Sequence, residues 1–160
     1  MTPKILPLEQ LLILLGSERE KGKRIVFTNG CFDLLHIGHT RYLQAARSLG
    51  DLLVVGVNTD DSVRQLEKAP DRPIVPAVQR AEVLAALGCV DFVVLFSESD
   101  PGPLITAIQP DVLVKGGDWA PEKIIGREIV EKRGGTVRTI PLVPGMSTTA
   151  LLRRIRSTPP

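Results

Sequence analysis

The chain has 160 residues with 20 basic and 18 acidic side chains, a formal net charge of +2 and only 4% aromatic residues. This length is enough for one domain with an ordinary buried core, and the even charge excludes a broad basic surface for nucleic acid or membrane. With no apolar run near the roughly 20 residues of a membrane-spanning helix and no secretion signal after residue 1, we expect a cytoplasmic protein.

Helix and strand patterns alternate along the whole chain. Residues 8–20 carry apolar side chains at helical spacing, and residues 24–28 form a short apolar run that is typical of a strand. The other predicted strands are residues 52–57, 92–96, 112–115 and 136–140. The other predicted helices are residues 39–48, 60–67, 77–87, 103–108, 122–133 and 147–156.

Strands that are nearly unbroken apolar runs and alternate with helices indicate a parallel sheet covered on both faces. We therefore predict a doubly wound, Rossmann-like α/β fold in one domain of residues 1–160, with its core in residues 24–156 and an N-terminal helix at residues 8–20. Ligands of such sheets bind at the carboxyl ends of the strands. The loops expected to hold the functional residues follow Thr28, Val57, Lys115 and Ile140.

Both histidines of the chain, His36 and His39, lie in the loop after the first predicted strand. Unpaired amides at the start of the next helix and the helix dipole favour an anion there. Gly30 and Gly38 permit close approach of the main chain, and two imidazoles can donate N–H bonds to one group of oxygens. The pattern predicts a phosphate site. The alternatives are a capping His36 with a surface His39, or a metal site, for which a third ligand is lacking.

Polar residues also follow three other predicted strands. Residues 147–149 (Ser-Thr-Thr) open the last predicted helix, where they could bind phosphate or simply cap the helix. Lys115 to Trp119 combines a lysine, two glycines, a carboxylate and the only tryptophan, although the glycines could form a plain turn and Trp119 could cover the core. Asn58 to Asp60 ends the second strand, and Asp60 could equally cap the next helix.

Cations follow the third predicted helix. Lys68 and Arg72 lie in a Pro-rich segment that could close over phosphates, and Arg80 lies near the start of the following helix. A solvated helix face is the competing interpretation of Arg80. Phosphate recognition in this chain must be local, because the net charge of the whole chain is small.

Four segments together resemble the cytidylyltransferase-like nucleotidyltransferases, which carry a His-x-Gly-His signature. The segments are residues 28–39, 57–60, 111–118 and 145–149, in that order and each at a predicted strand end. Within that family, residues 25–155 look like the branch that transfers AMP from ATP to heptose 1-phosphate. The resemblance implies an enzyme that makes ADP-heptose, a precursor of the lipopolysaccharide core, and releases pyrophosphate.

The resemblance also implies a role for each candidate residue. His36 and His39 would steady the α-phosphate, and Lys68 would stabilise the developing charge. The implied nucleotide-binding residues are Thr28, Asn29, Gly30, Cys31, Phe32, Lys115, Gly117, Asp118, Ser147, Thr148 and Thr149. The implied substrate-binding residues are Asp33, Asn58, Asp60, Arg72, Arg80 and Trp119. A Mg²⁺ ion is expected with ATP, held mainly by the nucleotide phosphates and water rather than by protein ligands.

Two other functions fit the same residues. One is a cytidylyltransferase that acts on glycerol 3-phosphate, although Arg138-Thr139 lies farther upstream of the Ser-Thr-Thr cluster than in those relatives. The other is a nucleotide-binding regulatory module without turnover, against which the retained histidine pair weighs. The resemblance further implies a homodimer. Since the chain is too short to include a sugar kinase, a separate kinase is expected to help supply heptose 1-phosphate.

Overall fold

The computed structural model describes residues 3–66 and 69–157. Within them the strands are β1 (Ile25–Gly30), β2 (Leu52–Asn58), β3 (Phe92–Phe96), β4 (Val112–Gly116) and β5 (Thr136–Ile140). The helices are α1 (Leu8–Glu20), α2 (Ile37–Arg47), α3 (Asp60–Gln65), α4 (Ala77–Ala85), α5 (Gly102–Ile108), α6 (Arg127–Glu131) and α7 (Thr148–Ser157), with a 3₁₀ turn at Pro121–Lys123. No helix in these two ranges has both the length and the apolarity needed to cross a membrane.

The strands form one parallel sheet in the order β3-β2-β1-β4-β5. The chain builds outward from β1 through β2 to β3, and then returns to place β4 on the other side of β1. This reversal makes the carboxyl ends of β1 and β4 the switch point where ligands of such sheets bind. The predicted doubly wound α/β architecture is confirmed.

Apolar side chains cover both faces of the sheet. Phe27 and Leu113 point into a cluster with α1, α5 and α6, whereas Val26 and Val112 point into a cluster with α2 and α4. Neighbouring residues of one strand point to opposite faces, so a continuous apolar run serves both clusters. The inner strands β1, β2 and β4 are therefore buried on both faces and are accessible mainly at their ends, whereas the edge strand β5 is partly exposed along its length.

Apart from one helix, each predicted element has a counterpart whose ends differ by at most two residues, and residue 67 of the helix predicted over 60–67 lies outside the described residues. Residues 8–20, 92–96 and 136–140 match α1, β3 and β5 at both ends. The single helix predicted over residues 122–133 is wrong, because the chain forms the 3₁₀ turn and then α6. Gly126 between them has a φ of 91°, and a Cβ at this position would lie 2.5 Å from Ile105 Cδ1. The missing side chain allows both the break and the close approach to α5.

Candidate functional site

A cavity of about 500 Å³ opens at the carboxyl ends of β1, β2 and β4. Its position is the predicted switch point, and the loops after all three strands contribute to its lining. The predicted site residues that line it are Asn29, Gly30, Cys31, Phe32, Asp33, His39, Asn58, Arg72, Lys115, Trp119 and Thr148. The sequence motifs that were far apart in the chain therefore converge on one cavity.

His36 caps the start of α2 through its own side chain. Its ring Nδ1 accepts a hydrogen bond from the Gly38 amide at 3.1 Å. Burial lowers the pKa of His36, so the ring is neutral near pH 7. With Nδ1 accepting, the proton of the neutral ring is on Nε2, which is a donor. The capping interpretation is thus confirmed, and it leaves an N–H group for an anion.

The imidazole of His39 stacks on that of His36. Their ring centroids are 3.9 Å apart, with an interplanar angle of 22°. The ring centroids of His39 and Phe32 are 5.3 Å apart in an edge-to-face arrangement. Of the two histidines, His39 is the one that lines the cavity. A Cβ at Gly38 would lie 2.8 Å from His36 Nδ1, so the stack requires glycine there. The two rings are held as one unit at the helix start.

Asp33 clamps the segment that carries Arg72. Its fully buried carboxylate lies 2.5 Å from Arg72 Nε and accepts the amides of Ile74 and Val75, both at 2.9 Å. Burial alone would raise the pKa of Asp33, but these hydrogen bonds and the guanidinium charge outweigh it and lower that pKa. The oxygens of Asp33 therefore hold the Arg72 segment, and its predicted contact with substrate stays a prediction.

Arg80 is buried beneath the cavity and is absent from its lining. Its guanidinium donates to the carbonyls of Cys31 at 2.5 Å, Asn58 at 2.8 Å and Val75 at 2.8 Å. It also donates to Asp60 Oδ1 at 2.8 Å. Neither Arg80 nor Asp60 lines the cavity, and their predicted contacts with substrate stay predictions. The pair joins three loops that surround the cavity.

Lys115 lies at the end of β4 with two neighbours that fix its ammonium group. Its Nζ donates to Asn29 Oδ1 at 2.5 Å and lies 5.8 Å from the centre of the Trp119 ring. The lysine is nearly buried, whereas 45% of Trp119 is exposed. A cation held by an amide oxygen and an aromatic face is already oriented for an anionic or polar ligand.

Several other predicted residues lie outside the cavity lining. Thr28 is fully buried, where its hydroxyl is 2.7 Å from Tyr42 Oη and donates to the Val114 carbonyl at 3.0 Å. Its hydroxyl joins β1 to β4 and α2, and its predicted nucleotide contact stays a prediction. Ser147 caps α7 by accepting the Ala150 amide at 3.0 Å. The others outside the lining are His36, Gly117, Asp118 and Thr149, and Lys68 lies outside the described residues.

The turn into α3 corrects one predicted cap. Thr59, rather than Asp60, is the capping residue, because its hydroxyl accepts the Ser62 amide at 3.4 Å. Asp60 is the first helical residue, and its carboxylate accepts the Ala77 amide at 2.9 Å instead. The side chain of Asp60 thus links α3 to α4.

Sequence reasoning missed part of the cavity wall. Tyr42 lies three residues after His39 on α2, so helical spacing alone could have placed it on the same face. Burial raises the pKa of Tyr42, which keeps its phenol protonated. Leu66, Ile125 and Leu142 also line the cavity and are partly exposed. Their apolar side chains lie outside the matched motifs and gave no signal of their own.

The cytidylyltransferase-like family model matches residues 27–158. Bifunctional protein HldE of Geotalea uraniireducens is 54% identical over 154 residues, which cover 96% of this chain and 31% of that protein. The same-named protein of Syntrophotalea carbinolica is 55% identical over 92% of this chain and 30% of its own length. This chain thus spans about a third of the length of the curated relatives it matches.

Among solved structures, the lipopolysaccharide core biosynthesis protein of Thermoplasma volcanium GSS1 is similar, with a TM-score of 0.62 and 31% identity. The match covers 76% of this chain and 98% of that one.

Proposed function

Because the chain belongs to the cytidylyltransferase-like family, we propose that it transfers AMP from ATP to heptose 1-phosphate and releases pyrophosphate. The observation that carries the proposal is the stacked histidine pair at the start of α2, with His39 in the same cavity as Lys115 and Arg72. The resemblance of four motifs to heptose 1-phosphate adenylyltransferases supports heptose as the sugar. So does the likeness to a lipopolysaccharide core biosynthesis protein.

The reaction needs no nucleophile from the protein. An oxygen of the sugar phosphate attacks the α-phosphorus of ATP, and the bond from that phosphorus to the bridging oxygen of pyrophosphate breaks. The attacking phosphate is already anionic near pH 7, so no base has to remove a proton from it. Catalysis then depends on holding the two phosphates in line and on stabilising charge in the transition state.

The start of α2 supplies the donors for the nucleotide phosphates. The His36 Nε2–H group and the His39 ring lie beside the helix amides, where the dipole favours an anion. We assign Thr148 to the departing pyrophosphate, and its position in the cavity lining at the start of α7 supports this role. A neutral His36 imidazole at this position donates a hydrogen bond without having to lose or gain a proton.

Arg72 is the cation we assign to the acceptor phosphate. Its Nε is fixed by Asp33, and a guanidinium held in one orientation suits the paired oxygens of a phosphate group. Lys115 and Asn29 are assigned to the nucleotide, and Trp119 is assigned to the acceptor at the cavity mouth. The role of Lys68 in stabilising the developing charge stays a prediction.

The described residues contain no group of three His, Cys, Asp or Glu side chains that could hold a metal ion. A Mg²⁺ ion that arrives with ATP would therefore be held mainly by phosphate and water oxygens. Such an ion would supply neutralisation of phosphate charge, and the chain itself would supply orientation. A cytoplasmic location, a homodimer and a separate sugar kinase complete the proposal.

The test is a pyrophosphate-release assay that crosses ATP and CTP with heptose 1-phosphate, as both anomers, and with glycerol 3-phosphate. We expect release only with ATP and one or both heptose phosphates. Release with CTP and glycerol 3-phosphate would instead support the alternative cytidylyltransferase. Tight ATP binding without release from any pair would support a regulatory module, in which the site binds nucleotide but does not turn over.

A further inference from the structure

A second cleft, of about 460 Å³, lies at the opposite ends of the strands, where β1, β4 and β5 begin. Its charged lining consists of Arg19, Lys23, Arg24, Arg133 and Asp111. Four basic groups against one carboxylate give this cleft a net charge of +3, although the whole chain carries only +2. This strongly cationic cleft is thus remote from the proposed active site.

The charges of this amino-end cleft are poorly compensated. Asp111 is the only lining carboxylate, and its Oδ2 already accepts the Ile25 amide at 2.8 Å. Lys23, Arg24 and Arg133 form no ion pair with any residue in the described ranges. Three basic residues of the lining therefore have no counter-charge of their own within the described part of the chain.

Arg19 is held in place at the back of the cleft. Its guanidinium donates to the carbonyls of Gln109, at 2.9 Å, and Ile108, which fixes its orientation. Burial lowers the pKa of Arg19; Asp111 opposes this shift, and nearby Arg133 adds to it. The repulsion between the two guanidinium groups would be relieved by an anion between them.

Small residues leave the walls of the cleft open. Gly22 and Gly134 lie in left-handed turns with φ of 76° and 81°, and a Cβ on either would meet nothing within 4 Å. With Gly135 they bring main chain rather than side chains to the opening. A compact ligand can therefore approach the guanidinium groups without displacing bulky groups.

We propose that the amino-end cleft binds a compact anion with two or more linked phosphate groups. Several separated cations around one opening can contact several charged oxygens of one ligand, which suits linked phosphate groups better than it suits a single small anion. Arginine also pairs readily with phosphate. The proposal does not depend on the reaction at the other end of the sheet. Free pyrophosphate and the polyphosphate part of a nucleotide share the required chemistry.

The experiment is an NMR titration of the ¹⁵N-labelled full chain with tripolyphosphate at low ionic strength, followed by titrations with pyrophosphate and ADP. We expect the amides of Gly22, Gly134 and Gly135 to shift along a binding curve separate from that of Gly30 and Gly116. The affinities for pyrophosphate and ADP then show whether the cleft binds a free polyphosphate anion or the polyphosphate part of a nucleotide.

The double variant Lys23→Glu with Arg133→Glu should weaken binding in the cleft by about tenfold or more, because two charged contacts are lost. It should leave the Gly30 and Gly116 curve unchanged. The matched control, Lys123→Glu with Lys132→Glu, makes the same charge change on exposed residues outside the lining and should bind nearly as the wild type does. Thermal unfolding of each variant checks that the fold is retained.

Three results would overturn the proposal. The first is unchanged affinity in the Lys23 and Arg133 variant, and the second is an equal loss in the control, which would mean that only diffuse charge matters. The third is tighter binding of a polyglutamate peptide than of tripolyphosphate. That outcome would assign the cleft to an acidic protein segment instead.

Discussion

The two ends of the sheet treat their charged groups in different ways. At the carboxyl ends, Arg72 is paired with Asp33 and Lys115 with Asn29 before any ligand arrives. At the amino ends, Lys23 and Arg133 have no ion-pair partner among the described residues. Fixed cations suit a reaction that requires atoms in line, whereas unpaired cations suit the binding of an anion without chemistry.

The largest effect expected at the carboxyl end is that of His39→Ala. Loss of a donor to the α-phosphate should reduce kcat for pyrophosphate release by about 100-fold to 1,000-fold, with little change in the unfolding temperature. Arg41→Ala, an exposed change on the same helix, is the control and should leave kcat unchanged. Equal rates for His39→Ala and the wild type would contradict this difference between the two ends of the sheet, because His39 would then have no part in the chemistry assigned to the carboxyl end.

Asp33→Asn tests whether the carboxyl-end cation must be fixed in place. The variant keeps the shape of the side chain but removes the charge that holds Arg72. We expect KM for the sugar phosphate to rise about tenfold with a smaller change in kcat, since one charge-assisted hydrogen bond contributes about 1.5–3 kcal/mol. Asp61→Asn removes an exposed carboxylate and should leave both constants unchanged. A fall in kcat alone would contradict a positioning role.

The cap on α2 should make stability depend on pH. The pKa of His36 in the folded protein lies below its ordinary value. The stability that the cap contributes is therefore fully present above about pH 6.5 and is lost as the pH falls through the lowered pKa. Relative to His36→Asn, which keeps a capping side chain, the wild type should lose up to about 1 kcal/mol of unfolding free energy between pH 7 and pH 5. Urea unfolding of both proteins at these pH values measures the difference in unfolding free energy. A difference that does not change with pH would contradict the role of His36 as a cap.

The smallest effect belongs to the amino end. Arg133→Gln removes one of the neighbouring cations that Arg19 faces, so it should raise the unfolding free energy by less than about 0.5 kcal/mol. The gain should disappear in high salt, which screens exposed charges. The control is Lys132→Gln, which removes the same charge from the adjacent exposed residue. A loss of stability in Arg133→Gln would show that this end is not under repulsion.

Sequence patterns predicted the fold well because each strand is a run of apolar or β-branched residues bounded by turns. The largely buried run at residues 92–96 matches β3, and residues 136–140 match β5, a partly exposed edge strand whose Thr, Val and Ile residues favour extended backbone. The helix predicted over residues 122–133 failed at Gly126, where close packing against Ile105 decides the backbone. Helical spacing continues through such a glycine, so local pattern alone cannot show the break.

Much of the carboxyl-end cavity was also predictable, because motifs at parallel strand ends converge at one edge of the sheet. Two contacts could not be predicted from local patterns, because they join residues far apart in the sequence. Asp33 and Arg72 are 39 positions apart, and Cys31 and Arg80 are 49 positions apart. Whether a charged side chain faces a ligand or a carbonyl depends on such pairings. The amino-end cleft had no motif at all, because its cations come from two regions far apart in the sequence, one at the end of α1 and its connection to β1 and the other between α6 and β5.

The capping bond of His36 also decides which way protons can move at the start of α2. Its Nδ1 lone pair is occupied by the Gly38 amide, and its Nε2 already carries a hydrogen. This imidazole therefore has no basic nitrogen to offer an incoming alcohol. A hydroxyl nucleophile would have to give its proton to a group other than His36, whereas a phosphate group needs no such transfer. Under the proposed function, the cap therefore makes this part of the site suited to an acceptor that is already anionic.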